Sequence, residues 1–344
     1  MSPEMARRGF LTAGCWCVDR NITVPFWPGE DVNVTVAHQS RAGGGPGCNL
    51  ALDIRRLDPS LPVATTGLVG TDEAGDFLKA LAQENGLDHA GLVQSPLAPT
   101  QMTDAYMSLA SGRRTHVMFT GSNDVVTPAH IKIESSNARI FHIGLPGIHA
   151  VMDAPCGPHA NGWVEVLARA RAAGLLTNLE LVTIAPDRIR ALVRPCLPHL
   201  SMLIVNDYEI GALADRVTVR DGVTDRAACM AAAQDVLAMG AMQAVVVHYV
   251  TGATLVARDG TRAFKPSVLV PAGAVRGVNG AGDAFAAGFL YGVHEGWSHD
   301  ACLSLAHATA AACIRVPGAY DGVMSAAECL DLAAQWGWRD SIAD

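Results

Sequence analysis

The stretch RGVNGAGDAFAAG, residues 276–288, places glycines directly before a lone carboxylate, Asp283, where an apolar helical pattern begins. Unpaired N–H groups at a helix N-terminus carry partial positive charge, and residues as small as Gly280, Ala281 and Gly282 let an anion approach them. A phosphate would fit against these amides. Asp283 could then accept the proton of a hydroxyl that faces the phosphate, as phosphoryl transfer to an alcohol requires.

The same turn has a simpler interpretation. An aspartate at a helix start often caps the helix, and a glycine-rich turn commonly precedes it. The tetrapeptide Gly-Ala-Gly-Asp alone does not decide between capping and chemistry. It belongs neither to a P-loop, GxxxxGK[ST], nor to a dinucleotide-binding pattern, GxGxxG.

The elements that must position this turn alternate along the chain. Apolar strand-like runs such as SMLIVND are followed by helical patterns such as RAACMAAAQDVLAMG. This alternation predicts an α/β fold with a mostly parallel central sheet and helices on both faces. Two β-rich stretches, at about residues 20–42 and 101–121, interrupt it and are predicted to join as a small separate sheet that forms a lid.

Polar and glycine residues follow several of the predicted strands, the first of which is GFLTAGCWCV. Ligands of such folds bind at the carboxyl ends of the strands, so we expect these residues along one edge of the sheet. They are Asp19, residues 67–72, Gly144, Asn206 and the glycines before Asp283.

Composition limits the classes of function. Half of the 344 residues are hydrophobic and 17% are charged, which allows a sizeable core. The formal net charge is −8 and basic residues form no stripe, so we expect neither a nucleic acid nor an anionic membrane as partner. No apolar run approaches the roughly 18 residues of a membrane span, and we expect a cytoplasmic protein.

The cysteines and the N-terminus carry two misleading signals. Nine cysteines are scattered without a CxxC pair, which favours reduced thiols over a disulfide or zinc framework. Cys15 and Cys17 could bind a metal, but in a strand they place two small apolar side chains on one face. The Arg7-Arg8 pair and TAGC resemble secretion signals, yet the apolar segment between them is shorter than the roughly 7–15 residues required.

Several motifs together resemble the ribokinase-like carbohydrate kinases, the PfkB family. The family's C-terminal signature is similar to GVNGAGDAFAAG, and its N-terminal Gly-Gly element to AGGGPGCNLALDIRRL. Its Gly-x-Asp-x-x-Gly segment resembles Gly70, Asp72 and Gly75, and its Asn-x-x-Glu motif resembles VNDYEIGAL. The late helix that borders the nucleotide is similar to LAHATAAACIRVPGA. The motifs keep the family's order over about residues 9–330.

The resemblance implies a ribokinase-like three-layer sandwich and an ATP-dependent kinase that phosphorylates a hydroxyl of a small sugar-like acceptor. It implies that Asp283 is the general base and that Gly280, Ala281 and Gly282 form the anion hole. The expected domains are an α/β kinase domain at 9–19, 43–100 and 122–330, the β lid at 20–42 and 101–121, and a C-terminal tail at 331–344.

On the acceptor side, the resemblance implies that Asp19, Gly44, Gly45 and Asn49 hold the acceptor's hydroxyls. The residue types agree, because a polyol needs a carboxylate and an amide to pair its hydroxyls, and glycines for close approach. The alternatives are an ordinary loop carboxylate at Asp19 and a helix-start turn over residues 43–49.

On the nucleotide side, the resemblance implies that Asn206 and Glu209 position magnesium and phosphate, largely through water. The alternative is a capped helix start, with Asn at the cap and Glu three residues later, and both can hold together. Thr251 and Gly252 stand where relatives have a Thr-Leu-Gly-like turn at the nucleotide. His307 stands where many relatives have Asn near the base, although a lone His in an apolar helix can equally be core.

The chain departs from the family at Gly277, where relatives commonly carry an acidic residue. That region helps relatives to hold a monovalent cation, often potassium, so potassium activation is doubtful here. The lid sheet of such proteins often pairs between subunits, and an exposed β edge gives a physical reason for it, so we expect a homodimer.

The sequence does not name the acceptor. Trp16, Phe26 and Trp27 could stack on a sugar or a base, although we expect Trp16 in the core. Few arginines lie near the lid (Arg41, and Arg113 or Arg114), which favours a neutral acceptor over a phosphorylated one. The alternatives are a nucleoside kinase of the same fold and a catalytically silent sugar- or nucleotide-binding regulator. A dinucleotide-dependent oxidoreductase is a weaker alternative, since no glycine fingerprint follows the first strand.

Overall fold

Two β-sheets of unequal size organise the chain, whose residues 7–340 are described by a computed structural model. The strands are β1 (Phe10–Gly14), β2 (Cys17–Val24), β3 (His38–Gly44), β4 (Val63–Gly70), β5 (Asp88–Ser95), β6 (Met102–Ser108), β7 (Arg114–Phe119), β8 (Ile140–Gly144), β9 (Leu176–Glu180), β10 (Met202–Asn206), β11 (Val219–Arg220), β12 (Val223–Thr224), β13 (Ala244–Tyr249), β14 (Gly252–Ala257) and β15 (Arg262–Pro266). The helices are α1 (Pro46–Leu57), α2 (Glu73–Glu84), α3 (Ala150–Asp153), α4 (Gly162–Ala172), α5 (Pro186–Val193), α6 (Asp207–Ala214), α7 (Arg226–Met239), α8 (Ala281–His294), α9 (His299–Cys313) and α10 (Ala326–Trp336). The short strands β11 and β12 form a separate hairpin.

The large sheet has nine strands in the order β15-β14-β13-β10-β9-β8-β1-β4-β5. Seven of them run parallel, and β14 and β15 add an antiparallel edge. From β1 the chain passes through α1 to β4 on one side, whereas β8 and the later strands extend the sheet on the other. The boundary between β1 and β8 is therefore a topological switch point, where open α/β sheets bind ligands.

Apolar side chains leave each central strand on both faces. Phe10, Ile140 and Val246 pack on one face against α1, α8, α9 and α10. Leu11 and Phe141, one residue further along their strands, pack on the other face against α4, α5, α6 and α7. The predicted three-layer α/β fold with a mostly parallel central sheet is confirmed.

The prediction that GFLTAGCWCV forms a single first strand was wrong, because this stretch contributes to two different sheets. The large sheet takes Phe10–Gly14 and the small sheet takes the strand that begins at Cys17. Gly14 has a φ of 91°, a left-handed conformation that ends the first strand. Asp19 therefore lies within β2 rather than after the first strand, and Cys15 lies in the link between the sheets.

The small sheet contains four strands in the order β3-β2-β6-β7, with a parallel pair in its middle. Its strands lie at 17–24, 38–44, 102–108 and 114–119, so they draw on both stretches predicted to form the lid. Three apolar side chains on the outer strand β7 are exposed, namely Val117, Met118 and Phe119. The exact division into domains stays a prediction.

The sequence interpretation lacked several elements, of which β5 and α10 are the longest. The predicted boundary at residue 330 falls inside α10, and Val268 forms a β-bridge with Trp338 beyond it. The end of the expected tail, residues 341–344, lies outside the described residues.

The nine cysteines are free thiols, and eight of them are buried. Over residues 7–340, no helix is long and apolar enough to cross a membrane.

Candidate active site

Asp283 lies in the first turn of α8, three residues after the helix's N-cap residue, Gly280. Gly280 has a φ of 72°, and a Cβ atom built on it would lie 2.1 Å from the carbonyl oxygen of Ala319. A glycine is therefore required both by backbone conformation and by space. Because Gly280 offers no side chain to cap the helix, the first amides of α8 remain available to an anion.

The Asp283 side chain is partly buried among polar groups. The Asn49 Nδ2 atom donates a hydrogen bond of 3.0 Å to Asp283 Oδ2. The carboxyl of Glu180, at the end of β9, also lies close to Asp283. Burial, with the nearby charge of Glu180, raises the pKa of Asp283 well above its usual value. The Asn49 contact joins a predicted acceptor residue directly to the predicted base.

The other predicted acceptor residues meet at the junction of β2, β3 and α1. A Cβ atom built on Gly44 would lie 2.3 Å from Asp19 Oδ2, so the carboxylate lies directly against this glycine. Gly45 is the N-cap of α1 with a φ of 85°, and a Cβ atom there would lie 2.6 Å from the Cys15 carbonyl oxygen. Burial raises the pKa of the Cys48 thiol well above its usual value, and the charges of Asp19 and Asp283 both contribute.

A cleft of about 380 Å³ separates the inner face of the small sheet from the loop at residues 316–318. Polar side chains of the small sheet line it, among them Asn21, Thr23 and Ser40, which share the sheet face of Asp19. Arg276, which the sequence interpretation did not single out, also lines the cleft. Such a surface suits a small molecule with several hydroxyls.

Arg41 lines this cleft, but it is also engaged elsewhere. Its Nη1 atom lies 2.9 Å from Glu73 Oε1, and its guanidinium lies 4.2 Å from the centre of the Phe77 ring. Arg113 is exposed, and the side chain of Arg114 lies outside the described part of the chain. Of these arginines, Arg41 is the one that the structure places at the cleft.

The aromatic residues near the small sheet divide into two groups. Trp16 is fully buried, and its Nε1 atom donates a 2.7 Å hydrogen bond to Thr65 Oγ1, as expected for a core residue. Phe26 and Trp27 are about half exposed, and Trp27 packs edge-on against Tyr106.

A second cavity, of about 550 Å³, reaches the start of α8. Its walls are mostly apolar and include Val268, Val275, Phe285 and Ile314, and Ala281 and Gly282 also line it. An apolar cavity that ends at free helix amides suits a flat base with a phosphate chain.

The predicted nucleotide residues lie at or near this cavity. His307 lines it, packs edge-on against Phe285, and has its Nε2 atom 3.2 Å from the Lys265 carbonyl oxygen. Burial lowers the pKa of His307 to about 3, so the ring is neutral. Thr251 and Gly252 lie in the turn into β14, beside the cavity residue Val250, and a Cβ atom on Gly252 would lie 2.6 Å from the Lys265 carbonyl oxygen.

Asn206 and Glu209 form a reciprocal capping box at the start of α6. The Glu209 amide donates to Asn206 Oδ1 at 2.8 Å, and the Asn206 amide donates to Glu209 Oε2 at 3.1 Å. Thr183 Oγ1 donates to the other Glu209 oxygen at 3.2 Å. The capping alternative is thus confirmed, while Asn206 also lines the 550 Å³ cavity.

The described residues contain no group of three or more His, Cys, Asp or Glu side chains arranged to hold a metal ion. Magnesium in proteins keeps several waters and is often bound by one or two protein groups together with phosphate oxygens. Because both Glu209 oxygens already accept hydrogen bonds, contact through water fits this site.

Besides Arg276, Glu180 and His248 also lie at the site and were not identified from the sequence. Glu180 pairs in register with Gly144 across β8 and β9, which brings its side chain to the switch point. His248 packs against Phe285, and a Cβ atom on Gly282 would lie 3.5 Å from its ring. Glu180 ends β9 and His248 lies one residue before the end of β13, so a position near a strand end was the available signal.

The uncapped start of α8, the Asp283 carboxyl and the 550 Å³ cavity lie close together, an arrangement compatible with phosphoryl transfer. The family model for pfkB family carbohydrate kinases matches residues 13–326. The chain belongs to this family of carbohydrate kinases. It is accordingly a phosphotransferase with a hydroxyl acceptor, and kinases of this family use ATP.

The relatives include kinases of different acceptors. The chain is 23% identical over 286 residues to adenosine kinase of Schizosaccharomyces pombe, covering 81% of each protein. It is 24% identical over 334 residues to ribokinase of Bacillus subtilis, covering 91% of this chain and 99% of the relative. The solved structure of ribokinase from Giardia lamblia superposes with a TM-score of 0.79 at 18% identity, over 96% of this chain and all of that one. These relatives do not single out an acceptor.

Proposed function

We propose that this chain transfers the γ-phosphoryl group of ATP to a hydroxyl of a small sugar-like acceptor, with Asp283 as the general base. One observation carries the proposal. The Asp283 carboxyl stands where the amides of the α8 turn meet Asn49, between the apolar cavity on one side and the residues of the acceptor side on the other.

The acceptor would lie beneath the small sheet, with its hydroxyls paired by Asp19 and Asn49 and its reacting hydroxyl at Asp283. Asp283 takes the hydroxyl proton as the oxygen attacks the γ-phosphorus, and the bond to ADP breaks. The amides of Gly280, Ala281, Gly282 and Asp283 stabilise the charge that develops on the transferring group. Closure of the lid would exclude water and limit wasteful hydrolysis of ATP.

The nucleotide would occupy the 550 Å³ cavity, with its base among the apolar residues near His307 and its phosphates toward Gly282. Asn206 and Glu209 would hold magnesium through water molecules. Bound there, magnesium would neutralise charge on the phosphate oxygens. Thr251 and Gly252 would border the nucleotide from the turn between β13 and β14.

A screen of acceptors tests this function. Sugars, phosphorylated sugars and nucleosides are offered with ATP and magnesium, and acceptor-dependent release of ADP is measured for the wild type and Asp283→Asn. A sugar that stimulates release only in the wild type supports the proposal. Preference for a nucleoside would reassign the acceptor, and ATP or sugar binding without any turnover would identify a regulator.

A neutral polyol is favoured by the uncharged polar side chains of the cleft, Asn21, Thr23 and Ser40. Because Arg276 could pair with a phosphate, phosphorylated sugars are the main alternative acceptors in the screen.

Three further properties belong to this proposal. The exposed apolar residues of the outer strand β7 favour a homodimer through the small sheet, which light scattering would test. Nine free cysteines favour the reducing cytoplasm, which fractionation would test. Since Gly277 supplies no carboxylate, we expect activity without potassium, which replacement of potassium by tetramethylammonium would test.

A further inference from the structure

The loop between α9 and α10, residues 314–325, has no part in the reaction described above, yet it borders both cavities and the α8 turn. Ile314, at its start, lines the 550 Å³ cavity. Residues 316–318 line the 380 Å³ cleft. The carbonyl oxygen of Ala319 faces Gly280 at the start of α8. This loop can therefore relate the position of the acceptor side to that of the α8 turn.

Tyr320 connects this loop to the small sheet. Its side chain is buried, and its hydroxyl accepts a hydrogen bond of 3.2 Å from the Gly43 amide. Gly43 lies near the end of β3, an edge strand of the small sheet. The Tyr320 hydroxyl thus supplies an acceptor that a neighbouring strand would otherwise provide. It does so at the point where the chain passes from the small sheet through Gly44 and Gly45 into α1.

Gly43 is closely packed at this position. A Cβ atom built on it would lie 2.5 Å from Leu81 Cδ2 and 2.7 Å from Cys48 Sγ, so its backbone lies directly against α2 and α1. The next residue, Gly44, lies against the Asp19 carboxylate. A shift of Gly43 would therefore also move the glycine that contacts Asp19.

The ring of Tyr320 is held from α1. The guanidinium of Arg56 lies 5.7 Å from the ring centre, within the range of a cation–π contact, and its Nη2 atom lies 3.2 Å from Asp321 Oδ1. Arg56 thereby connects α1 with two consecutive residues of the loop. Because Gly43 lies just before α1, the hydroxyl and the ring of Tyr320 are both held against the same part of the chain.

The loop is also fixed to the α8 turn. Cys313 Sγ donates a hydrogen bond of 3.1 Å to the Ala319 carbonyl oxygen. The same oxygen would lie 2.1 Å from a Cβ atom on Gly280, so Ala319 and the turn are in direct contact. Tyr320 follows Ala319 in the sequence, and its position therefore depends on that of the turn at which α8 begins.

We propose that Tyr320 is a positioning residue for the acceptor: its hydroxyl holds the Gly43 end of β3, and with it the neighbouring acceptor residues, at a fixed place relative to the α8 turn. This inference rests on the acceptor role proposed above for Asp19 and Gly44. Tyr320→Phe keeps the ring but leaves the buried Gly43 amide without its acceptor. Such a loss is worth on the order of tenfold in an equilibrium constant. A shift of Gly43 towards water would relieve it and displace the acceptor residues.

Kinetic constants of Tyr320→Phe test the proposal, with the sugar that gives the highest turnover in the screen as acceptor. We expect KM for that sugar to rise about tenfold while the Kd for ATP stays within about twofold, because the hydroxyl acts on the acceptor side. A mere loss of folded protein would lower kcat and leave both constants unchanged. Tyr291→Phe is the control. Tyr291 is also buried, packs edge-on against Trp297 towards the other end of α8, and its substitution should leave KM unchanged.

A double-mutant cycle with Asp19→Asn shows whether Tyr320 acts through the acceptor residues. In the Asp19→Asn background, Tyr320→Phe should raise KM by about threefold or less, since the carboxylate that it positions is already gone. An unchanged KM in Tyr320→Phe, or equal rises in the two backgrounds, would overturn the role of Tyr320 alone. An unchanged KM in Asp19→Asn itself would instead remove the proposed acceptor role, and this inference with it.

Discussion

Two helix starts of this molecule carry an acidic residue at the same helix position and use it differently. Glu209 stands three residues after the N-cap Asn206, and Asp283 stands three residues after the N-cap Gly280. At α6 the cap and the carboxylate bond each other's backbone amides. At α8 the cap has no side chain, and the carboxyl accepts a hydrogen bond from Asn49 instead.

The difference shows what a glycine at the N-cap does to the first turn. Where Asn206 and Glu209 cap the helix, donors of the first turn are already paired within the chain. Where Gly280 replaces the capping side chain, the amides and the carboxyl both remain available to a ligand. Position relative to the helix start therefore does not identify a base, whereas the pairing of the amides does.

The two helix starts, of α6 and α8, are expected to differ most in their effect on turnover. Asp283→Asn removes the group proposed to accept the hydroxyl proton and should lower kcat by about 10²–10⁴-fold. Glu209→Gln keeps the helix position and should lower kcat by about tenfold at most, because its proposed contact with magnesium is through water. Steady-state assays with the acceptor found by screening compare the two, and equal losses would break the comparison.

Substitution of Gly280, the N-cap of α8, is expected to have the next largest effect. Gly280→Ala places a side chain on a residue whose backbone is left-handed, at a cost of about 1–2 kcal/mol. The new Cβ atom would also clash with the Ala319 carbonyl oxygen. Stability in urea and kcat should both fall. Gly273→Ala is the control, since a Cβ atom there meets nothing within 4 Å and should change neither quantity. A stable, fully active Gly280→Ala would show that the turn is not constrained as described.

Two capping boxes allow the structural and the functional role of Asn206 to be separated. Asn206→Ala and Ser325→Ala each remove the cap of such a box, at α6 and α10, and each should cost about 1 kcal/mol of stability. Only Asn206→Ala should also raise KM for ATP. Identical KM values in both variants would leave Asn206 with its capping role alone.

Asp72 is a third carboxylate at a helix start, and its substitution is expected to have the smallest effect. It caps α2 by accepting from the Gly75 amide at 2.8 Å, and it also accepts from the Thr100 amide at 2.8 Å, just before β6. Burial opposes its ionisation, but the hydrogen bonds from Thr100 and Gly75 outweigh it and hold the pKa of Asp72 below its usual value.

The stabilisation by Asp72 is therefore present above the usual aspartate pKa of about 4 and is lost as the pH falls below it. Asp72→Asn keeps the cap but removes an acceptor of the Thr100 amide, so it should cost about 1 kcal/mol at pH 7, with little change in kcat. Urea midpoints at pH 7 and pH 3 measure this. A gap between the wild type and the variant that stays constant over this range would contradict the assignment.

The sequence predicts most of this fold because hydrophobic periodicity governs most of it. It does not reveal β5, an edge strand in which Leu92 is the one buried residue, nor the break at Gly14, which depends on a left-handed φ. Helix α10 could have been found, since Ser325 and Glu328 have the spacing of a capping box. Glu180 could not be joined to Asp283, because that contact depends on strand register and on the packing of α8.

A single-turnover experiment tests the central claim most directly. Enzyme in excess is mixed with γ-labelled ATP and acceptor, and the transfer of label to the acceptor is followed together with the Kd for ATP. For Asp283→Asn the account predicts a Kd within about threefold of the wild type and a transfer rate at least about 100-fold lower. Transfer at the wild-type rate would show that Asp283 is not the base.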